Sequence, residues 1–125
     1  MLVRIMIMVL RLSVLLTLIL GVILWTGNAA SLKLVHIGLG ILVVLSLWSL
    51  GFAQATAKGG NWGLAAGAFI LGLILPIFGL GQEGLLPGPA HWIIQVIHLL
   101  LGLAAIGLGE MIAGRYKRLT QAATA

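Results

Sequence analysis

Three histidines, His36, His91 and His98, are the side chains of this sequence best suited to chemistry. Two of them lie in apolar runs of the same plan, LVHIGLG (residues 34–40) and VIHLLLG (residues 96–102), each with a glycine four residues after the histidine. An ionisable group inside an apolar span is costly to keep, which makes it a functional candidate. Neutral imidazole is a nitrogen ligand for iron and other transition metals. Residues four apart share one helix face, so Gly40 and Gly102 leave bare backbone one turn deeper beside His36 and His98. Two imidazoles and two smooth walls are what a bis-histidine haem b requires: axial nitrogens for the iron and an apolar pocket for the flat ring. Close helix packing at small residues is the competing account of the same glycines.

His91 and His98 are seven residues apart and share a face, so His36 with His91 is the alternative ligand pair. The position four residues after His91 is Gln95, whose side chain fills the patch that glycine would leave open. The expected ligands are therefore His36 and His98, with His91 hydrated at a membrane interface. Gln95 is placed to hydrogen-bond a histidine, a haem propionate, a quinone oxygen or another helix. The chain has no second histidine along either span at the spacing that a second haem needs, so one haem is the limit.

Other chemistries lack raw material. Without cysteine there are no disulfides, thiolate metal sites or thiol nucleophiles. With Glu83 and Glu110 as the only acidic side chains, paired-carboxylate catalysis and carboxylate-rich metal sites are hard to assemble. The net charge of +5 does not point to nucleic acid, because the cations flank apolar stretches and suit topology and anionic lipid better.

The elements that position the histidines follow from hydropathy. With 62% hydrophobic and 7% charged residues, the chain carries more apolar surface than a small soluble globule can bury. Its main partner is the lipid bilayer. A helix needs about 20 apolar residues to cross. Helices are expected at about 3–26, 32–54, 62–80 and 90–114, which makes residues 1–125 a single four-helix transmembrane domain. Short polar connections make neighbours antiparallel, so the expected fold is all-α, an integral membrane up-down-up-down four-helix bundle. The Gly27-Asn28-Ala29 stretch after the first span resembles a signal-peptide cleavage region, but a retained helix is expected. Pro76 is expected to kink the third helix.

Arg4, Arg11, Lys58, Arg115, Lys117 and Arg118 fall at one end of such a bundle, and Lys33 alone at the other. The positive-inside rule then puts both termini on the cytoplasmic side of a bacterial-type inner membrane, with the loops at 27–33 and 81–90 facing outward. Trp25 and Trp92 should mark the outer interface and Trp62 the inner one. The second and fourth helices are diagonal and parallel, and their histidines differ in depth by about 6 Å. All three histidines lie in the outer half.

This arrangement resembles the small four-helix b-type cytochromes of bacterial membranes. The resemblance is architectural and covers the four-helix plan, His36 and His98, and Gly40 and Gly102. It implies one haem b, held by axial histidines on diagonal helices, in an electron-transfer protein rather than a stand-alone enzyme. The single histidine pair departs from the usual pattern and excludes a two-haem wire across the membrane. The expected function is electron relay between quinol and a partner on the outer face, with a quinone as the second small molecule. The alternative is a cofactor-free accessory subunit of a larger respiratory or photosynthetic membrane complex; association with further copies of the chain fits either. A small transporter using the histidines is disfavoured by the scarcity of intramembrane acids.

The remaining polar residues have structural readings. Arg11 and Glu110 either pair or snorkel separately. Lys33 either snorkels or meets a propionate. Ser46, Ser49 and Gln54 should bond to backbone or neighbouring helices. The loop at 79–89 is placed to cap a haem edge or dock a partner, and the tail at 115–125 reads as a basic anchor with a frayed end.

Overall fold

The computed structural model describes residues 1–27 and 30–122; Asn28, Ala29 and residues 123–125 lie outside the described residues. Among the described residues are four long helices: α1 (Leu2–Trp25), α2 (Lys33–Thr56), α3 (Trp62–Gly81) and α4 (His91–Ala122). Single 3-10 turns at Ala30–Leu32 and Gln82–Gly84 lead into α2 and follow α3. There is no strand among the described residues. All four helices are long and apolar enough to cross a membrane.

Local chemistry explains the helix ends. Gly27 adopts φ 76°, and its N–H donates to the Leu24 carbonyl at 3.0 Å, a left-handed stop that suits glycine. Asn61 caps α3, its side-chain oxygen accepting from the Leu64 N–H at 3.2 Å. Gly88, at φ 93°, turns the chain into α4, where the His91 N–H donates to its carbonyl at 3.1 Å.

α2 packs against all three other helices, and α4 packs against α1 and α3 as well as α2. The contacts give the directions. Leu10, early in α1, lies over Gly109, late in α4, and Gly51, late in α2, lies over Ala65 and Ala68, early in α3. α2 and α4 run parallel, with His36 and His98 meeting near their starts. Leu10, Leu47, Leu50, Ala68, Ala105 and Ile112 form the centre of the core, fully buried and drawn from all four helices. Glycine sets the distances. A methyl on Gly51 would sit 3.0 Å from the Ala68 methyl and 3.4 Å from the Ala65 Cα, and Gly72 accepts the edge of the Trp48 indole. This is close packing by small residues, the means by which helices associate where lipid removes the hydrophobic drive. Each helix also turns large apolar side chains outward, among them Leu15, Leu45, Ile70 and Leu100.

Polar side chains tie the helices together. Arg11 Nε and Nη2 donate to the two carboxylate oxygens of Glu110 at 2.6 and 2.9 Å, a two-pronged pair joining α1 to α4. Gln54 is fully buried at the end of α2. With its amide turned to suit its neighbours, it donates to the Asn61 carbonyl (3.1 Å) and accepts from Asn61 N–H (2.8 Å) and Arg115 Nε (3.2 Å). Arg115 also donates to the Gly59 carbonyl at 3.2 Å. The loop 57–61 is thus clamped between α2 and α4.

That clamp corrects one expectation. α4 does not fray after residue 114 but stays helical to Ala122. The segment 115–122 contains neither glycine nor proline, Thr120 bonds back to the Tyr116 and Lys117 carbonyls, and Leu119 rests over Gly59. α2 also runs two residues past its expected end, to Thr56. Pro76 sits inside α3 and removes the donor to the Gly72 carbonyl.

Two glycine substitutions should differ in sign. Gly51→Ala is expected to destabilise the bundle by about 1–3 kcal/mol through overpacking against α3. At Gly67, where a methyl would meet nothing within 4 Å, alanine should stabilise by about 0.5–1 kcal/mol. Thermal unfolding of both variants in one detergent checks the pair.

Candidate functional site

His36 lies in the first turn of α2 and His98 in the third turn of α4. Counted from the helix starts, their depths differ by four residues, about 6 Å along an axis. Even so, the ring centroids are 6.2 Å apart, at an interplanar angle of 51°. The structure therefore brings His36 and His98 together. His91 is placed differently: its ring Nδ1 lies 3.1 Å from the Leu85 carbonyl, which ties the start of α4 to the preceding loop.

A cavity of about 510 Å³ opens around the pair and is lined by all four helices. Gly40 and Gly102 both border it, and no atom of another element lies within 4 Å of where their Cβ atoms would be. Bare backbone faces open space at both positions. Gln95 and His91 line the same cavity.

Two further glycines back the imidazoles. A methyl on Gly21 of α1 would stand 3.3 Å from His36 Cε1, and one on Gly79 of α3 would stand 2.8 Å from His98 Cε1. Each histidine is thus pressed against the glycine of the preceding helix in its own hairpin. Phe78 holds His98 from another side, with ring centroids 6.2 Å apart and planes 7° from parallel. Sequence reasoning passed over Gly21 and Gly79. A signal existed: Gly21 is the sole glycine of α1, and a short turn carries it back to the level of His36.

The Nδ1 atoms of His36 and His98 are buried and have no hydrogen-bond partner. An unmade hydrogen bond costs about 1–3 kcal/mol, and the two lie on rings that face each other; the Trp48 Nε1, packed against Gly72, is likewise without a partner. Among the described residues, no group of three or more histidine, cysteine, aspartate or glutamate side chains is placed to hold a metal ion. Two imidazoles suffice only for a metal that brings its other ligands with it. A metal–imidazole bond is about 2 Å and the ring centre lies about 1 Å beyond the nitrogen, so two imidazoles facing one metal have centroids roughly 6 Å apart. The cavity volume falls in the range of roughly 300–1,000 Å³ usual for cofactor and ligand sites.

The cavity mouth is polar. Lys33 and Glu83 meet there at 2.6 Å, tying the start of α2 to the turn Gln82–Gly84 after α3. Lys33 is thus paired within the chain instead of extended alone toward headgroups. Residues 79–81, expected in the outer loop, belong to α3, and the connection that follows lies beside the mouth, with Gln82 and Glu83 among the lining residues.

Comparisons of the chain with protein-family models, with curated protein sequences and with solved structures return no match.

With only three histidines, their ring signals can be followed singly by NMR in micelles. Gly79→Ala should displace one of the three, the signal lost in His98→Gln. Gly102→Ala, which adds its methyl to open space, should leave all three near their original positions.

Proposed function

We propose that the chain is an integral membrane up-down-up-down four-helix bundle that carries one haem b, held by His36 and His98 in the outer half of the bilayer. It relays electrons between quinol and a partner at the outer face. The reading rests on the separation of the two imidazoles, 6.2 Å between centroids beside a cavity lined by bare backbone. A haem bound there supplies reversible one-electron chemistry. The chain's part is to hold and tune it. His36 and His98 would hold its iron, and Gly21 and Gly79 set the orientation of the two imidazoles. Gly40 and Gly102 give the macrocycle a flat wall. Lys33, once released from Glu83, is the cation available to a propionate, and Gln95 is the side-chain amide available to a propionate or a quinone.

The distribution of cations supports an orientation with both termini on the cytoplasmic side of a bacterial-type inner membrane. Trp25 and Trp92 then mark the outer interface and Trp62 the inner one. The cavity, which lies at the end away from the cationic cluster, faces outward.

Haem-replete expression and an absorption spectrum test the proposal. The purified protein should show a reduced b-type spectrum that survives His91→Ala and is lost in His36→Ala and in His98→Ala. A colourless wild-type protein sinks the haem reading and favours the cofactor-free accessory subunit. Colour that disappears with His91→Ala and persists with His98→Ala transfers the ligand role to His91.

A further inference from the structure

The charge inventory leaves one end of the bundle unbalanced. The chain has two side-chain carboxylates, and both are engaged, Glu110 with Arg11 and Glu83 with Lys33. Arg4, Lys58, Arg115, Lys117 and Arg118 have no side-chain carboxylate left to neutralise them. Four of these five lie in or beside the clamp that joins the 57–61 loop to the extended end of α4.

A second cavity, of about 280 Å³, is open at this end, between the last turn of α2, the loop and the α4 extension. Lys58, Tyr116, Thr56 and Thr120 supply its polar lining, and Ala53 and Leu119 its apolar part. The two threonine hydroxyls donate to carbonyls of their own helices, Thr56 to Phe52 and Thr120 to Tyr116. The donors available to a ligand are therefore the Lys58 ammonium and the Tyr116 hydroxyl. Both suit a phosphate oxygen, the lysine by charge and the tyrosine by hydrogen bonding. The cavity exists only because α4 remains helical beyond residue 114.

What surrounds the cavity separates a lipid from a soluble anion. Phe52, next to Ala53, is 55% exposed and meets Trp62 edge-on, with ring centroids 6.5 Å apart. An aromatic pair of this kind, turned outward beside a cationic pocket, fits the boundary between headgroups and acyl chains. We infer that this cavity binds the headgroup of an anionic phospholipid, with the phosphate on Lys58 and Tyr116 and the acyl chains running along the Phe52 side of α2. The site is separate from the histidine cavity and does not depend on a haem.

The experiment counts bound lipid by native mass spectrometry, using the full chain in a neutral detergent. Phosphatidylglycerol should bind about five- to ten-fold more tightly than phosphatidylcholine. Lys58→Gln combined with Tyr116→Phe should bring the two lipids within about two-fold of each other. Arg4→Gln removes the same single charge from α1, outside the cavity, and should keep the preference. Equal binding of the two lipids by the wild-type chain overturns the proposal. So does an equal loss in both variants, which would indicate a diffuse field instead of a site. Soluble glycerol 3-phosphate should fail to displace the lipid, and displacement at comparable concentration would make this a free phosphate-ester site. Circular dichroism identifies a misfolded double variant, and in that event Lys58→Gln alone takes its place and should lose the preference that Arg4→Gln keeps.

Discussion

Four helices long and apolar enough to cross a membrane would gain little in lipid from hiding apolar surface against one another, and this bundle is built on how closely its backbones approach. Glycine governs that approach, and it is used in two opposite ways. In the half nearer the 57–61 loop, neighbours fill the space left by three inward glycines: Ala68 against Gly51, Trp48 against Gly72, Leu10 against Gly109. The fully buried side chains Leu10, Leu47, Leu50 and Ile112 lie in this packed half. In the other half, Gly40 and Gly102 face open space, and Gly21 and Gly79 admit only the edges of two imidazoles. The same residue type closes one end of the bundle and hollows the other.

The few polar side chains act mostly as ties between elements far apart in sequence. Arg11 and Glu110 join the first and last helices through two charge-assisted hydrogen bonds. Lys33 and Glu83 join the two connections at the cavity end. Gln54 stands at the centre of the third tie, satisfying Asn61 and Arg115 together, so that the loop and the end of α4 are held by one buried amide. His36 and His98 do not follow this economy. Their Nδ1 atoms are buried without partners, as is Trp48 Nε1 in the packed half. What sets the two histidines apart is that their rings face each other at 6.2 Å beside an open cavity, whereas the Trp48 indole is packed against Gly72.

Much of this was legible in the residues in order. Hydropathy located four spans, and the observed bounds agree within two residues except at the end of α4, where a basic run read as a frayed tail and proved helical to Ala122. The discrepancy has a physical source. Sequence shows that RYKRLTQA lacks apolar length, but it does not show that Arg115 will find the Gly59 carbonyl and Leu119 the Gly59 backbone. Gly40 and Gly102 were legible because helical periodicity sets them one turn from their histidines, on the same element. Gly21 and Gly79 were not read, because their relation to the imidazoles crosses between helices. The Arg11–Glu110 pair stayed open at the sequence level for a similar reason: the two residues are 99 positions apart, and only packing decides whether they meet.

By itself, then, the sequence determined what depends on composition and on period along one helix: four apolar spans, cations gathered at one end, and two histidines each followed by bare backbone. The tertiary structure alone decided which histidine His36 meets, because that turns on stagger and side-chain direction. Helix starts that differ by four residues in depth still bring His36 and His98 to 6.2 Å, while His91 turns to the Leu85 carbonyl. The periodicity of one helix places a residue on a face. The mutual offset of two helices, set by where glycine lets them touch, places it opposite a partner.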